Sequence, residues 1–452
     1  MFAYITLLKK WWRSDRIWTN VLVYWCRPVR YIPLRFDIWA LGKSQYWPRR
    51  RMIEYQKKRL AALLCSTQRF AFWREKILVH SMDLSSLEHG PFSRISIVSK
   101  KDFTGVSETL YTDGDRDDEW SRDFTSGSTG TPFCFYLDAH HELRSYAICA
   151  RMFRTAAGGV SYPVVSMRVS ERMGVTIPRG RVFFSRGYNA VRYRVEELRD
   201  FLNSFGRGVV MFGFTSSLIE LARVVNERRI SLSLRGLVAG GEALPEQGRA
   251  LINQAFGLKV FLSYSTRELG WLAFECEQHR LHINEEWAYV EITDDTGQPL
   301  AYGKEGKVVV TTFDNRVMPF VRYDTGDRGV ISEEPCSCGR TLRTIRILGR
   351  QIELLRFEDG RTVSSLDFSQ IFDRYTKVVH QFQIVQTGPF AFTIKVIPGP
   401  YFENYKEELA MNLESILHPL AAVSWEVVEH IPEGPNGKAI KFIPLKRAKH
   451  IT

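Results

Sequence analysis

The chain has 452 residues, 44% hydrophobic and 25% charged, which is typical of a globular protein of two or three domains with an ample core. No apolar run approaches the roughly 18 residues that a membrane-spanning helix needs. The apolar start of the chain has no basic residue ahead of it and no small-residue cleavage site after it, which argues against a signal peptide. The sequence therefore predicts a cytoplasmic protein without a transmembrane segment.

The formal charge is +12, from 62 Lys and Arg against 50 Asp and Glu. Such a charge suits nucleic acid, an anionic membrane surface, or polyanionic small molecules such as ATP and coenzyme A. The basic residues are scattered, and no helix-turn-helix or zinc-finger pattern accompanies them. Nucleic-acid binding thus rests on net charge alone, and we expect no nucleic-acid partner.

Residues 1–43 form an N-terminal extension in which aromatic and basic side chains interleave, as at residues 9–13 and 21–25. Such a segment suits either peripheral contact with a membrane interface or docking on the main domain, and we favour docking. Residues 46–64 then predict a helix, because apolar residues recur at helical spacing and Pro48 lies in the first turn.

The next informative stretch combines four hydroxyl residues with two glycines. Glycines let backbone amides approach an anion, and hydroxyls add hydrogen bonds without charge, so the stretch suits a polyphosphate. It is not a Walker loop, because Thr131 and Pro132 follow the second glycine in place of Lys and Ser/Thr. A flexible linker is the alternative interpretation. The candidate phosphate-binding residues are Thr125, Ser126, Gly127, Ser128, Thr129 and Gly130.

Predicted strands and helices alternate from residue 142 to residue 262, which implies mainly parallel sheets covered by helices on both faces. Residues 289–312 add a smaller β region, and past Arg350 the pattern changes to a hairpin followed by helix, two strands, helix and strand. The predicted fold is α/β. A large N-terminal domain of mainly parallel sheets with a small β subdomain spans residues 1–348, and a small, mobile α+β domain spans residues 349–452.

Four later stretches follow the hydroxyl-rich one in the order seen in adenylate-forming enzymes. They are Val-Ala-Gly-Gly-Glu-Ala-Leu at 238–244, Tyr-Ser-Thr-Arg-Glu at 264–268, Arg-Tyr-Asp-Thr-Gly-Asp at 322–327, and Gly-Arg at 349–350 with Gly-Pro-Asn-Gly-Lys at 434–438. With these motifs the chain resembles the phenylacetate coenzyme A ligase family, and within it the branch called capsular polysaccharide biosynthesis proteins. The resemblance runs from about Gln45 almost to the end, and five ordered motifs are more specific than one.

The resemblance implies a ligase that uses ATP and Mg²⁺ to activate a carboxylic acid as an acyl adenylate. The acyl group would then pass to coenzyme A, to a carrier-protein thiol or to an amine, and both the acid and the acceptor stay open. A catalytically weak member that binds a nucleotide or a partner protein is the alternative. Two departures favour it: Arg267 stands where most adenylate-forming enzymes have Thr or Ser, and Ile352 and Glu353 alter the usual hinge carboxylate.

The resemblance also implies how the nucleotide would be bound. The hydroxyl-rich stretch would hold the β- and γ-phosphates, and Gly240, Gly241 and Glu242 would form a tight turn against the adenine. Tyr264 would stack on the adenine. Asp327 would accept hydrogen bonds from both ribose hydroxyls, and Arg350 would support the same ribose from the hinge.

Three residues are candidate catalytic groups by the same resemblance. Lys438 would stabilise the transferring phosphoryl group, and Glu268 would hold Mg²⁺ near the phosphates. Arg267 could neutralise the α-phosphate directly. Taken alone, an exposed lysine or glutamate is more often simply solvated.

Two Cys/His pairs predict a structural zinc site. Cys276 and His279 form a Cys-x₂-His pair, and Cys336 and Cys338 form a Cys-x-Cys pair, with a β segment between the two pairs. This is a recognised tetrahedral layout in which all four positions are filled by protein. Free thiols in a reducing cytosol are the alternative.

Overall fold

The computed structural model describes residues 28–77, 92, 95–103, 112, 120–125, 133–159, 162–168, 175–177, 180–184, 194–350, 354–357, 362–364, 368, 371–372, 375, 378–418, 420–431, 442–443 and 445. Residues 126–130, the hinge residues Ile352 and Glu353, and Lys438 lie outside the described residues, as does most of the N-terminal extension. Among the residues described, no helix is long and apolar enough to cross a membrane.

The helices of the described part are as follows. They are α1 Pro28–Ser44, α2 Arg49–Thr67, α3 Ala71–Lys76, α4 Lys100–Phe103, α5 Ala139–Ala156, α6 Val195–Asn203, α7 Thr215–Arg228, α8 Glu246–Phe256 and α9 Phe402–Leu417. The predicted helix at residues 46–64 corresponds to α2. Helix α5 begins where the Asp138 carboxylate accepts a hydrogen bond from the His141 backbone amide at 2.6 Å, which satisfies an amide that the first turn leaves unpaired.

The strands before the C-terminal unit are given first. They are β1 Ser121–Thr125, β2 Phe133–Leu137, β3 Val164–Arg168, β4 Val175–Ile177, β5 Gly180–Phe184, β6 Val209–Phe214, β7 Leu234–Gly240, β8 Val260–Thr266, β9 Gly270–Glu275, β10 Leu281–Ile283, β11 Ala288–Thr293, β12 Glu305–Thr312, β13 Tyr323–Ser332 and β14 Thr344–Arg350. Strands β3 to β14 form a single sheet in the order β11-β12-β13-β14-β10-β9-β8-β7-β6-β3-β5-β4.

Parallel pairing runs through one half of this sheet, from β5 through β3, β6 and β7 to β8. Helices cover both faces of that half. In β7, Leu237 and Ala239 pack with residues of α6, α7 and α8, whereas Val238 between them packs with residues of α5. Since successive strand residues point to opposite faces, the two helical layers lie on opposite sides of the sheet, and the predicted α/β class is confirmed.

The other half of the sheet is antiparallel, from β8 through β9, β10, β14, β13 and β12 to β11. The β region that we predicted as a small subdomain of the large domain shares one continuous sheet with the parallel half. The sequence pattern missed this continuity because β9 and β10 are short strands that turn the chain back at Gly270 without a crossover helix.

The C-terminal unit has its own sheets and its own apolar core. A hairpin of β15 Leu354–Arg356 and β16 Thr362–Ser364 precedes a four-stranded sheet in the order β19-β18-β17-β20. Its strands are β17 Val379–Gln386, β18 Ala391–Pro398, β19 Ala422–Val427 and β20 Phe442–Ile443. The apolar cluster of this unit draws all its buried members from residues 357–442. We propose that it is a separate domain, although β14 extends the large sheet two residues past the predicted boundary at 348.

Candidate active site

The glycine turn lies at the carboxyl end of β7, in the middle of the sheet. A Cβ at Gly240 would come within 2.6 Å of the Ser263 Oγ atom, so the close approach of β7 to β8 excludes a side chain there. Gly241 has a φ of +77°, which lies in the left-handed region that favours glycine. The predicted tight turn is present, and it follows the carboxyl end of a parallel strand, where such sheets bind ligands.

The carboxylate of Glu242 caps a neighbouring helix. It accepts a hydrogen bond from the Ser216 backbone amide at 2.8 Å, and the Thr215 hydroxyl donates to the Glu242 carbonyl at 3.2 Å. Helix α7 has no side-chain cap of its own, so Glu242 supplies the acceptor and the negative charge that its first turn lacks. The side chain thus fixes the turn to α7.

Two of the predicted nucleotide residues are joined directly. The Tyr264 hydroxyl, at the end of β8, donates a hydrogen bond to the Asp327 carboxylate at 2.7 Å and lies 3.4 Å from the Thr325 hydroxyl. Asp327 is 6% exposed and lies in β13, so the contact spans the antiparallel half of the sheet. Residues that are 63 positions apart in sequence therefore meet at one place.

Arg350 lies next to Asp327 in the sheet. The two residues are register partners where β13 pairs with β14. Only the backbone of Arg350 is described, so the role of its guanidinium stays a prediction. The register nonetheless places the arginine beside the carboxylate that the resemblance assigns to the same ribose.

Glu268 is 7% exposed and lies in the turn between β8 and β9. Its Oε1 atom accepts a hydrogen bond from the Tyr323 hydroxyl at 3.2 Å, and among the described residues its Oε2 atom has no partner. Because Mg²⁺ in nucleotide sites is held by one or two carboxylates together with substrate phosphates, one free oxygen on a positioned carboxylate fits that metal.

The hydroxyl-rich stretch is framed by a hairpin. Strands β1 and β2 are antiparallel, and Thr125 at the end of β1 is the register partner of Phe133 at the start of β2. Two residues before Thr125, the Asp123 carboxylate contacts Arg267, whose Nη2 atom lies 2.9 Å from both carboxylate oxygens. The base of the hairpin is therefore tied to the turn that carries Glu268.

Glu142 connects the same hairpin to α5. Its carboxylate accepts a hydrogen bond from the Ser121 hydroxyl, at the start of β1, at 2.7 Å. Burial raises the pKa of Glu142 to about 7, and the hydrogen bond from Ser121 opposes this rise. The helix and the strand are thus coupled through a carboxyl group whose charge changes near neutral pH.

Three cysteines and one histidine form the cluster that suits a metal. The ligand atoms of Cys276, His282, Cys336 and Cys338 all lie within 4.8 Å of one another. The sulfurs of Cys276 and Cys336 are 3.7 Å apart, and the His282 Nε2 atom lies 3.4 Å from the Cys338 sulfur. Tetrahedral zinc, with Zn–S near 2.3 Å and Zn–N near 2.05 Å, would space two sulfurs by about 3.8 Å and a sulfur and nitrogen by about 3.6 Å.

The histidine of this cluster is a correction to the sequence prediction, which named His279. The imidazole of His279 instead lies against Arg249 and Glu275, with Nδ1 distances of 2.9 and 3.2 Å. Its backbone, with φ of 55°, turns the chain from β9 towards β10. His282 follows in β10, and its Nδ1 donates to the Leu342 carbonyl at 2.8 Å, which leaves Nε2 for a metal. Burial lowers the pKa of His282 to about 4, so the ring is neutral, as a ligand must be.

Sequence reasoning missed Asp123, His282 and Tyr323. For His282 a signal existed, because the strand between the cysteine pairs contains a second histidine three residues beyond the first. For Asp123 there was none, since its partner Arg267 lies 144 positions away.

The chain is similar to known proteins in three comparisons: with a family model, with a protein sequence and with solved structures. Residues 355–444 match the family model of the CapK C-terminal domain. A 174-residue segment is 35% identical to a phenylacetate-coenzyme A ligase of Thermus thermophilus, covering 36% of this chain and 39% of that protein. The match thus spans about two fifths of the length of this curated relative.

Solved structures share the fold over most of the chain. The structure of a 2-hydroxyisobutyryl-CoA ligase in its postadenylation state has a TM-score of 0.72 at 19% identity, covering 89% of this chain and 93% of the other. An anthranilate CoA ligase in complex with anthranoyl-AMP has a TM-score of 0.54 at 15% identity, covering 71% and 65%. The amide bond synthetase of Marinactinospora thermotolerans has a TM-score of 0.50 at 19% identity, covering 71% and 67%.

The order of the motifs, the shared fold and the two sequence matches agree with one another. Together they support an adenylate-forming superfamily member, and the solved structures show the fold of such ligases.

Proposed function

We propose that the protein activates a carboxylic acid with ATP and passes the resulting acyl group to a thiol or an amine. The observation that carries the proposal is the hydrogen bond of 2.7 Å between Tyr264 and Asp327, with Asp327 paired in register with Arg350 beside the glycine-turn half of the sheet. Three motifs that are far apart in sequence would together form the surface for a nucleoside.

The first half of the reaction would form the P–O bond of an acyl adenylate. An oxygen of the substrate carboxylate attacks the α-phosphorus of ATP, and the bond between that phosphorus and the bridging oxygen breaks, so that pyrophosphate leaves with both bonding electrons. Negative charge grows on phosphoryl oxygens, so positioned cations and hydrogen-bond donors lower the barrier. The protein would act mainly by positioning and by electrostatic stabilisation.

The residues near the turn fit the two ends of the nucleotide. Asp327 would accept from the ribose hydroxyls, since a carboxylate offers two acceptor oxygens, and the Tyr264 hydroxyl holds that carboxylate in place. Glu268 would hold Mg²⁺ through its Oε2 atom, which has no partner among the described residues, and the metal would supply charge neutralisation at the phosphates. Lys438 would reach the transferring phosphoryl group from the C-terminal domain.

The second half would transfer the acyl group to coenzyme A, to a carrier-protein thiol, or to an amine. The relatives named above include CoA ligases and an amide bond synthetase. They support coenzyme A and an amine as acceptors, and they give no support for a carrier protein. We place the reaction in the cytoplasm, where ATP and coenzyme A are supplied. Within the superfamily, the match to the CapK C-terminal domain favours the capsular polysaccharide biosynthesis branch.

We further propose that Cys276, His282, Cys336 and Cys338 hold a structural zinc ion. Two of the distances between their ligand atoms, 3.7 and 3.4 Å, match tetrahedral coordination, and the protein would fill all four positions. The ion would fasten the β9–β10 turn to the loop before β14, which keeps the antiparallel half of the sheet in register.

The alternative is a catalytically weak member that binds a nucleotide or a partner protein without turnover. Arg267 and the altered hinge at Ile352 and Glu353 favour it. Carboxylate-dependent exchange of labelled pyrophosphate into ATP, measured with aryl, fatty and amino acids, separates the two functions. An active ligase gives exchange with at least one acid class, whereas a binding member gives ATP binding without exchange.

A further inference from the structure

The ion pair between Asp123 and Arg267 joins two motifs of the candidate site. Arg267 lies three residues after Tyr264 and directly before Glu268, and Asp123 lies in β1, which leads into the hydroxyl-rich stretch. The Nη2 atom of Arg267 is 2.9 Å from each carboxylate oxygen of Asp123. The pair therefore connects the turn that carries Glu268 to the middle of strand β1.

Only one of the three guanidinium nitrogens takes part in this pair. Within the described part of the chain, the Nε and Nη1 atoms of Arg267 have no protein partner, and the side chain is 57% exposed. An arginine offers five N–H donors in a rigid fork that matches the geometry of a phosphate. The free edge of the guanidinium can therefore bind an anion without breaking the contact with Asp123.

The pair is badly placed for a stabilising role. Both side chains are substantially exposed, at 57% and 39%, and exposed ion pairs contribute little to stability. The Asp123 carboxylate instead limits the directions in which the long, flexible side chain of Arg267 can point. This restriction matters for a group that must meet a phosphate in one position.

We propose that Asp123 is a positioning residue that holds Arg267 ready to bind the phosphate chain of ATP. Arg267 contacts the phosphates, and Asp123 acts through Arg267. The inference rests on the proposed function for its ligand, ATP. It goes beyond the assignment of Arg267 alone, because it gives a role to an acidic residue that would otherwise repel the same ligand.

The test compares the affinity for ATP with the affinity for adenosine, which lacks phosphates, in the intact protein by calorimetric titration. We expect Arg267→Ala to weaken ATP binding by about 10- to 100-fold, the range of a lost charge-assisted contact. Asp123→Asn should weaken it by about three- to tenfold, and Asp123→Glu should restore part of the loss. Adenosine binding should be unchanged in every variant.

The double variant shows whether Asp123 acts through Arg267. In the Arg267→Ala background, Asp123→Asn should cause no further loss of ATP affinity, because the residue that it positions is gone. Glu196→Gln is the matched control: it breaks an exposed pair with Arg228 of 2.8 Å on α6 and α7, and ATP affinity should not change.

Several outcomes would overturn the inference. An Asp123→Asn variant that binds ATP more tightly would mean that Asp123 only repels the phosphates. Unchanged ATP affinity in both Arg267→Ala and Asp123→Asn would mean that the two residues form an ordinary surface ion pair without a role in ATP binding. Losses that multiply in the double variant would mean that Asp123 acts independently. A wild type that binds ATP but gives no pyrophosphate exchange refutes the proposed ligase activity, and the titrations still decide the inference.

Discussion

Replacement of His282 by alanine is expected to abolish tight zinc binding, whereas replacement of His279 is not. His282 supplies the only nitrogen of a four-ligand cluster among the described residues, with its Nε2 atom 3.4 Å from the Cys338 sulfur. His279 lies outside the cluster, against Arg249 and Glu275. The two variants remove the same side chain from positions three residues apart, so they form a matched pair.

The size of the effect follows from the role of each histidine. Loss of a residue that only orients a ligand costs about 10- to 100-fold in metal affinity, so loss of the ligand itself should cost more than about 100-fold. His279→Ala should change affinity by less than about threefold, since it removes contacts with Arg249 and Glu275, which lie outside the cluster. The binding free energy of a structural zinc ion is also folding free energy, so chelation should lower the melting temperature of the wild type and of His279→Ala.

The measurement is competition with a chromophoric chelator, combined with elemental analysis of protein purified without added metal. Wild type and His279→Ala should each carry one zinc per chain, and His282→Ala close to none. Cys338→Ser gives a second test at a less buried ligand position, in case His282→Ala does not fold. Zinc loss in His279→Ala but not in His282→Ala, or no zinc in the wild type, would refute the cluster.

Three further predictions concern the candidate active site and the helix beside it. Asp327→Asn should weaken ATP binding by about 1 to 3 kcal/mol, whereas Glu268→Gln should raise the magnesium requirement and slow catalysis more than it weakens ATP binding. A magnesium titration of both variants checks this contrast. Identical behaviour of the two variants would contradict it. Lys438→Ala should lower adenylate formation by orders of magnitude with little change in ATP affinity, which exchange and binding assays compare directly. Burial of Glu142 raises its folded pKa to about 7, above its ordinary value of 4.5, so the folded form loses stability as the pH rises from about 4.5 to 7. Glu142→Gln should remove that part of the pH dependence and gain up to about 3 kcal/mol at pH 8, and denaturant unfolding at pH 4 and pH 8 tests it.

The local features of the site could be predicted from the sequence because they depend on a few adjacent residues. The turn at Gly240 and Gly241 follows from the need for a close approach and a positive φ, both of which only glycine meets without strain. The spacing of apolar residues likewise predicts the alternation of strands and helices through α7 and α8. These elements carry the resemblance from which the nucleotide roles were assigned.

The long-range features could not be predicted, because they depend on sheet register. Whether His279 or His282 reaches Cys338 is decided by where β10 pairs with β14, at His282 and Thr344. The contact of Asp123 with Arg267 depends likewise on how the β1–β2 hairpin lies against the β8–β9 turn. The sequence offers both histidines, but motif spacing does not decide between them, so we predicted His279, which lies closer to Cys276 in the chain, and Asp123 received no role.

The central claim is that the protein forms an acyl adenylate from ATP and a carboxylic acid. Exchange of labelled pyrophosphate into ATP measures that half-reaction alone, whatever the acyl acceptor is. The account predicts exchange that requires both Mg²⁺ and a carboxylic acid from the panel of aryl, fatty and amino acids, and that falls by orders of magnitude in Lys438→Ala. Exchange that is absent with every acid, in a protein that binds ATP, would contradict the claim.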